Sequence, residues 1–423
     1  MLLFLLISFM ACVLVYKSSW FQVAGLPPSV TLTVFILKCI IGFFLLWLYG
    51  HFIEIDRADA DVFKYFDDAL ILHSSAKDSL RLYWELFSGT RLDSLAPYFE
   101  AMHNWDSPRA YIHSSDNRTM IRIHSVLLFI SQGDIRIHQV VFALLSMLGL
   151  VTLFKGLSTW SKMPGWAFLA VCVLPPSLLF WGSGLLKETI VMLPLGLFIY
   201  GLTGWNEGRK KQVAMLLGML AFIWIKPYIG MCLLPGLSFL IADKKIQIPS
   251  FWLAIGSVIV MILLLFLATY IPGFDPIGRL AAEQIAFIEL AQAKAAGSLI
   301  AVHQFDDLWS FLVQSPGAAL RCIFRPVLWE IRGPLDTIAA IENTGYILLV
   351  LAAMIYRKKG VNMRPIYFSI LSVLAIAVLI GSVTPVLGAV VRYKAPMLPF
   401  LVFVFFHLID LNRIPLIRTF VAK

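Results

Sequence analysis

Charge is the scarcest property of this chain. Asp, Glu, Lys and Arg make up 14% of its 423 residues against 60% hydrophobic ones, and the mean hydropathy is +0.84. That balance excludes an ordinary soluble domain. The apolar runs also lack the alternation of a membrane barrel, and hydrocarbon offers a bare backbone no partners, so α-helices remain. Cysteine is rare: Cys12, Cys39, Cys172, Cys232 and Cys322 are scattered through apolar surroundings without paired spacing. They suit packing rather than a disulfide framework or a thiolate metal site, and the histidines likewise show no metal-binding spacing. No basic segment opens the run 1–16, which reads as a retained first helix rather than a cleaved signal. The two halves show no internal repeat, and nearly all candidate charges fall at one face, which favours an enzyme over a carrier.

What remains is a series of apolar stretches. Candidate spans cover 1–16, 30–49, 139–154, 165–181, 188–205, 213–225, 228–242, 251–271, 341–356, 366–384 and 395–411. The expected architecture is therefore all-α, a single integral membrane domain over 1–423 with about eleven crossings. Orientation follows from Lys and Arg in short loops. Lys17, Lys155 and Lys162, the run 209–211, Lys244 and Lys245, the run 357–359 with Arg364, and Arg413, Arg418 and Lys423 share one side if the N-terminus is outside. That side is the cytoplasm. The formal charge of +9 is then accounted for by loops beside anionic lipid, and no nucleic-acid partner is required.

This topology leaves two large external loops, 51–138 and 272–340. Both read as partly helical and interfacial. Val62, Phe63, Phe66 and Leu70 fall on one helical face and Asp61, Lys64 and Asp68 on another. Segments 278–296 and 308–329 also read as helices, the second too interrupted by Arg321 and Arg325 to cross lipid. Lys38 lies inside a span, near enough to its cytoplasmic end to snorkel.

Ionisable chemistry gathers just beyond the second span, at Glu54, Asp56, Asp59, Asp61, Asp67, Asp68 and Asp78. Asp67 and Asp68 read as solvated surface. The outer turns supply cations: Lys187 beside Glu188, Lys226 before Pro227, Arg392 with Tyr393 and Lys394, and Arg325 and Arg332 flanking Glu330. Basic runs on either side of 213–242 require an even number of crossings there, which puts Lys226 at the outer end of a hairpin. Carboxylates and cations at one membrane face suit a base that activates an acceptor while cations stabilise a phosphate leaving group. The structural counterparts are plain. Asp59 and Asp61 can cap a following helix, Lys187 can snorkel, and Asn117-Arg118-Thr119 is a weak glycosylation sequon.

Asp61-Val62-Phe63-Lys64-Tyr65-Phe66 resembles the Asp-x-x-x-Tyr element in the first external loop of the GT-C superfamily of membrane glycosyltransferases. The 181–188 turn and the 392–394 segment are similar to features of the same proteins. The resemblance implies transfer of a sugar from a polyprenyl-phosphate donor to a glycan or lipid acceptor, with inversion, at the periplasmic face of a bacterial inner membrane. Asp61 would be the general base, with Asp59 as its rival. Lys187, Lys226, Arg325 and Arg392 would hold the donor phosphate, supported by Tyr65, Glu188, Glu330 and Tyr393. No cofactor is certain: the carboxylates could hold Mg²⁺ or Mn²⁺ with donor oxygens, but no ligand pattern demands a metal. In this family the acidic loop usually follows the first helix, and here it follows the second, which an extra N-terminal helix reconciles. Within this sequence the family's large soluble C-terminal domain has no counterpart, so acceptor choice is expected from the two external loops. The competing expectations are an envelope polysaccharide polymerase or ligase relying on external arginine, and a lipid-linked sugar flippase.

Overall fold

A computed structural model describes residues 1–53, 56–90, 93–106, 116–293 and 297–414. Glu54 of the acidic cluster lies outside the described residues. Among those residues the secondary structure is helical, with two isolated antiparallel bridges, Leu299 to Val386 and Arg357 to Ile409. The chain divides into two compact units: 1–172 with 179–228, and 173–178 with 229–423.

The first unit starts with α1 (Leu2–Lys17), α2 (Pro28–His51), α3 (Lys64–Asp78), α4 (Leu80–Ser88), α5 (Ala96–Ala101), α6 (Asp116–Ser131) and α7 (Ile135–Trp160). It continues through α8 (Ala167–Val173) and α9 (Pro176–Trp181), whose residues 173 and 176–178 belong to the second unit, and then α10 (Lys187–Thr203) and α11 (Arg209–Ile225). Local chemistry sets several ends. Pro28 opens α2, where its missing N–H costs nothing. The Asp134 carboxylate accepts from the Arg136 amide at the start of α7, and Gly89 closes α4 at φ 81°, the left-handed region a glycine adopts freely. The core of this unit is α7 packed on α10. Gly149 and Gly196 permit that approach, because a Cβ on either would overlap the facing backbone.

The second unit comprises α12 (Pro227–Cys232), whose first two residues belong to the first, then α13 (Leu234–Lys245), α14 (Ser250–Ala268), α15 (Pro276–Ala293) and α16 (Leu308–Phe324). After them come α17 (Pro334–Ile355), α18 (Met363–Val383), α19 (Leu387–Tyr393) and α20 (Leu398–Leu408). Helix α18 is its hub, packing on α13, α14, α15, α16 and α20. A reciprocal cap between Asp307 and Ser310 starts α16.

Six stretches among the described residues are long and apolar enough to cross a membrane: α2, α7, α14, α17, α18 and the continuous segment Leu387–Leu408. They carry the transmembrane-helix character expected from composition. The other five expected spans correspond to shorter helices. The 16-residue α1 is apolar but brief, and 165–181 is divided between α8 and α9. Arg392 and Lys394, expected in a turn ahead of the last span, lie inside Leu387–Leu408.

Lys38 does not snorkel. It is fully buried on α2, and its ammonium donates to the Gly182 carbonyl at 2.6 Å and to Ser183 Oγ at 3.2 Å. Ser146 donates to the same Gly182 carbonyl and Gln139 to that of Ser183. The Gly182 and Ser183 carbonyls of the Gly182-Ser183-Gly184 break between α9 and α10 are therefore satisfied from within the unit, the condition for irregular backbone away from water. That break sets where α10 begins, and with it the positions of Lys187 and Glu188.

Candidate functional site

Helix α3 starts just after Asp61, and α6 lies beside it. Val62, Phe63, Phe66, Tyr65 and Leu72 are buried around this contact, so apolar packing fixes the chain on either side of Asp61. The carboxylate, whose side chain is 22% exposed, is paired with Lys64 one helical turn on. Tyr65 donates to it at 3.4 Å and to Asn117 Oδ1 at 2.9 Å. The same amide oxygen accepts from Lys187 at 2.5 Å, and Lys187 is also ion-paired with Asp116 at 2.8 Å.

Behind this group, Lys226 meets Glu188 at 2.6 Å, the two side chains 3% and 0% exposed. Burial opposes the charge on Lys226, but the Glu188 carboxylate and the Tyr228 ring against it hold its pKa above the usual lysine range. Lys187, 11% exposed, behaves oppositely. Burial draws its pKa down, only partly offset by Asp116 and Asp61. The cluster thus grades from carboxylates open to solvent to an ion pair sealed behind them.

Asp61, Tyr65, Lys187, Glu188 and Lys226, all named from the sequence, fall in this one unit. Lys64, expected on the helical face of Asp61, pairs with it, while Asp116, Asn117 and Tyr228 complete the cluster and were not expected there. Asn117 faces inward, and the other two members of its sequon are engaged as well. Arg118 Nε donates to the Trp105 carbonyl at 2.9 Å and Thr119 to that of Trp224 at 2.6 Å. The available signal was the polar Asp116-Asn117 pair opening an amphipathic helix. Asp59 sits exposed in the turn before Asp61, where its amide donates to the Asp56 carbonyl at 2.8 Å.

The neighbouring carboxylates divide unequally. Asp67 stays at the surface, held bidentately by Arg57 at 2.7 and 2.8 Å. Asp68 departs from the solvated surface expected of it. It is 3% exposed and accepts from the Asn104 amide at 2.8 Å. Burial raises its pKa, and its partner turn lies 36 positions away, beyond the reach of helical periodicity.

The other named residues belong to the second unit. Glu330 grips Arg325 with both oxygens and accepts from the Val327 amide at 3.0 Å. The Arg325 guanidinium holds its carboxyl below the usual range. Arg392 lies with its guanidinium 5.6 Å from the Tyr393 ring, and Tyr393 meets Phe287 edge-on. Lys394 does not share an anion site with Arg392. It is fully buried and donates to Asn343 Oδ1 at 2.5 Å, because alternate positions at a helix end point to different sides.

Comparison with protein-family models, curated proteins and solved structures returned no match. The class the described residues define is an α-helical membrane protein with a mixed-charge polar cluster in its first unit.

Proposed function

We propose that the protein is a membrane glycosyltransferase that moves a sugar from a polyprenyl-phosphate-linked donor to a glycan or lipid acceptor, at the external face of a bacterial inner membrane. One observation carries the reading: the contact chain from Asp61 through Tyr65 and Asn117 to Lys187. It sets a solvent-reached carboxylate and a largely shielded ammonium on either side of one phenol and one amide.

In this mechanism Asp61 takes the proton of the acceptor hydroxyl as its oxygen bonds to the anomeric carbon. The bond from that carbon to the phosphate oxygen breaks on the opposite face, with inversion, and its electron pair leaves with the polyprenyl phosphate. Lys187 stabilises the charge growing on that phosphate. The Lys226–Glu188 pair anchors the first turn of α10 and so keeps Lys187 in place, rather than meeting the donor itself.

The test uses the full chain in lipid nanodiscs with a panel of polyprenyl-phosphate sugars, and polyprenyl phosphate release is measured by mass spectrometry. Asp61→Asn is expected to lower release by about 10²- to 10⁴-fold, the contribution of a positioned base, and Asp59→Asn to leave it intact. Loss in Asp59→Asn alone would move the base to that residue. Full release in both variants sinks the assignment.

A further inference from the structure

The second unit contains a cavity of about 600 Å³, within the roughly 300–1,000 Å³ of small-molecule sites. Leu320 and Phe324 of α16 form one wall, and Ile347, Val350 and Leu351 of α17 the other. Two guanidinium groups line this otherwise apolar trough: Arg321 in the last turn of α16, and Arg325 immediately after it.

The two arginines are not equally matched. Arg325 is gripped by Glu330. Arg321 donates one N–H to the Gly381 carbonyl at 3.2 Å, while its Nε is buried with no hydrogen-bond partner. Among the described residues no carboxylate pairs with Arg321. Burial and the adjacent Arg325 both draw its pKa down, as two like charges do when counter-charge is short. Two guanidinium groups and one carboxylate leave one positive charge facing an apolar surface. A buried, unsatisfied donor and an uncompensated cation are both costly.

A phosphodiester relieves both, since its single negative charge equals the excess and its oxygens match the planar fork of arginine. The apolar walls suit an acyl chain. One wall, α17, is also among the six membrane-length helices, and most of its apolar surface lies outside the packed core. We propose that this groove binds an anionic phospholipid of the surrounding bilayer, with the phosphodiester on Arg321 and Arg325 and one acyl chain along Leu320, Phe324, Val350 and Leu351. The assignment does not rest on the transferase reading.

The full chain, delipidated in detergent, is titrated with phosphatidylglycerol, phosphatidylcholine or inorganic phosphate, and bound lipid is counted by native mass spectrometry alongside Tm. Phosphatidylglycerol is expected to bind and to raise Tm, with the other two ineffective. Arg321→Gln should weaken it at least about tenfold, the worth of a charge-assisted hydrogen bond. Leu351→Trp, at a half-exposed position, should do the same by filling the trough while both arginines stay. Lys244→Gln, a change in another basic segment, should leave binding as it was. Asp61→Asn should bind the lipid like the parent, which separates this outcome from failure of the transfer reaction. Equal binding of phosphatidylcholine, an equal effect of phosphate alone, or unchanged affinity in both groove variants overturns the proposal.

Discussion

In the first unit three ammonium groups, Lys64, Lys187 and Lys226, each meet a carboxylate: Asp61, Asp116 and Glu188. In the second, the single carboxylate of Glu330 pairs with Arg325, and among the described residues Arg321 meets only the Gly381 carbonyl. The first arrangement is neutral as it stands and deepens from a wet edge to a dry ion pair. The second carries an excess charge beside an apolar trough. A neutral, preorganised cluster can move a proton and steady a transient charge without holding an anion at rest. An unbalanced one is suited to keeping an anion. The two proposals follow this difference: transfer chemistry for the first unit and retention of a lipid for the second.

The largest expected effect comes from unbalancing the first unit. Glu188→Gln leaves the Lys226 ammonium buried without its countercharge, and breaking such a pair costs about 3–5 kcal/mol. A denaturant titration in detergent should show that loss, and adding Lys226→Met should restore most of it. An unchanged midpoint in the single variant would mean that the pair is not sealed.

An intermediate effect follows from pH. His124 is buried on α6, with its ring nitrogen 2.8 Å from that of His138. Burial, and the neighbouring His138, hold its pKa well below 6.5. The unfolded chain binds this proton more readily, so the contribution is complete above pH 6.5 and is lost as pH falls below it. The loss reaches at most about 1.4 kcal/mol per pH unit. Tm measured between pH 7.5 and 5 should fall on acidification, and His124→Gln should flatten the slope. The same slope in that variant would assign the titration elsewhere.

The smallest effect belongs to the second unit. Glu330→Gln breaks a pair that solvent partly reaches, and about 0.5–1 kcal/mol is expected. It should also tighten phosphatidylglycerol binding, since the excess positive charge grows. Weaker binding would show that Glu330 positions Arg325 for the lipid instead of competing with it.

The membrane-length helices were legible because crossing a bilayer depends on length and hydropathy, which are properties of consecutive residues. Asp61, Lys187 and Lys226 were legible for a related reason, being charges placed where apolar runs end. The partners were not. Asn117 lies 52 positions from Tyr65, Lys187 lies 70 from Asn117, and Lys38 is 144 from Gly182. No local pattern encodes such pairings. Lys38 and Lys394 show the same limit: each looked like an interfacial cation, and each is buried against carbonyl oxygens.

The sequence by itself determined an α-helical membrane chain with its ionisable side chains collected at a few turns, because the cost of placing charge and bare backbone in hydrocarbon acts residue by residue. Tertiary structure alone decided which charges neutralise one another and which do not. It sealed Lys226 against Glu188, joined Asp61 to Lys187 through Tyr65 and Asn117, and left Arg321 with a buried donor unmet. Those outcomes depend on distances of a few ångströms between segments far apart in the chain, and only packing sets them.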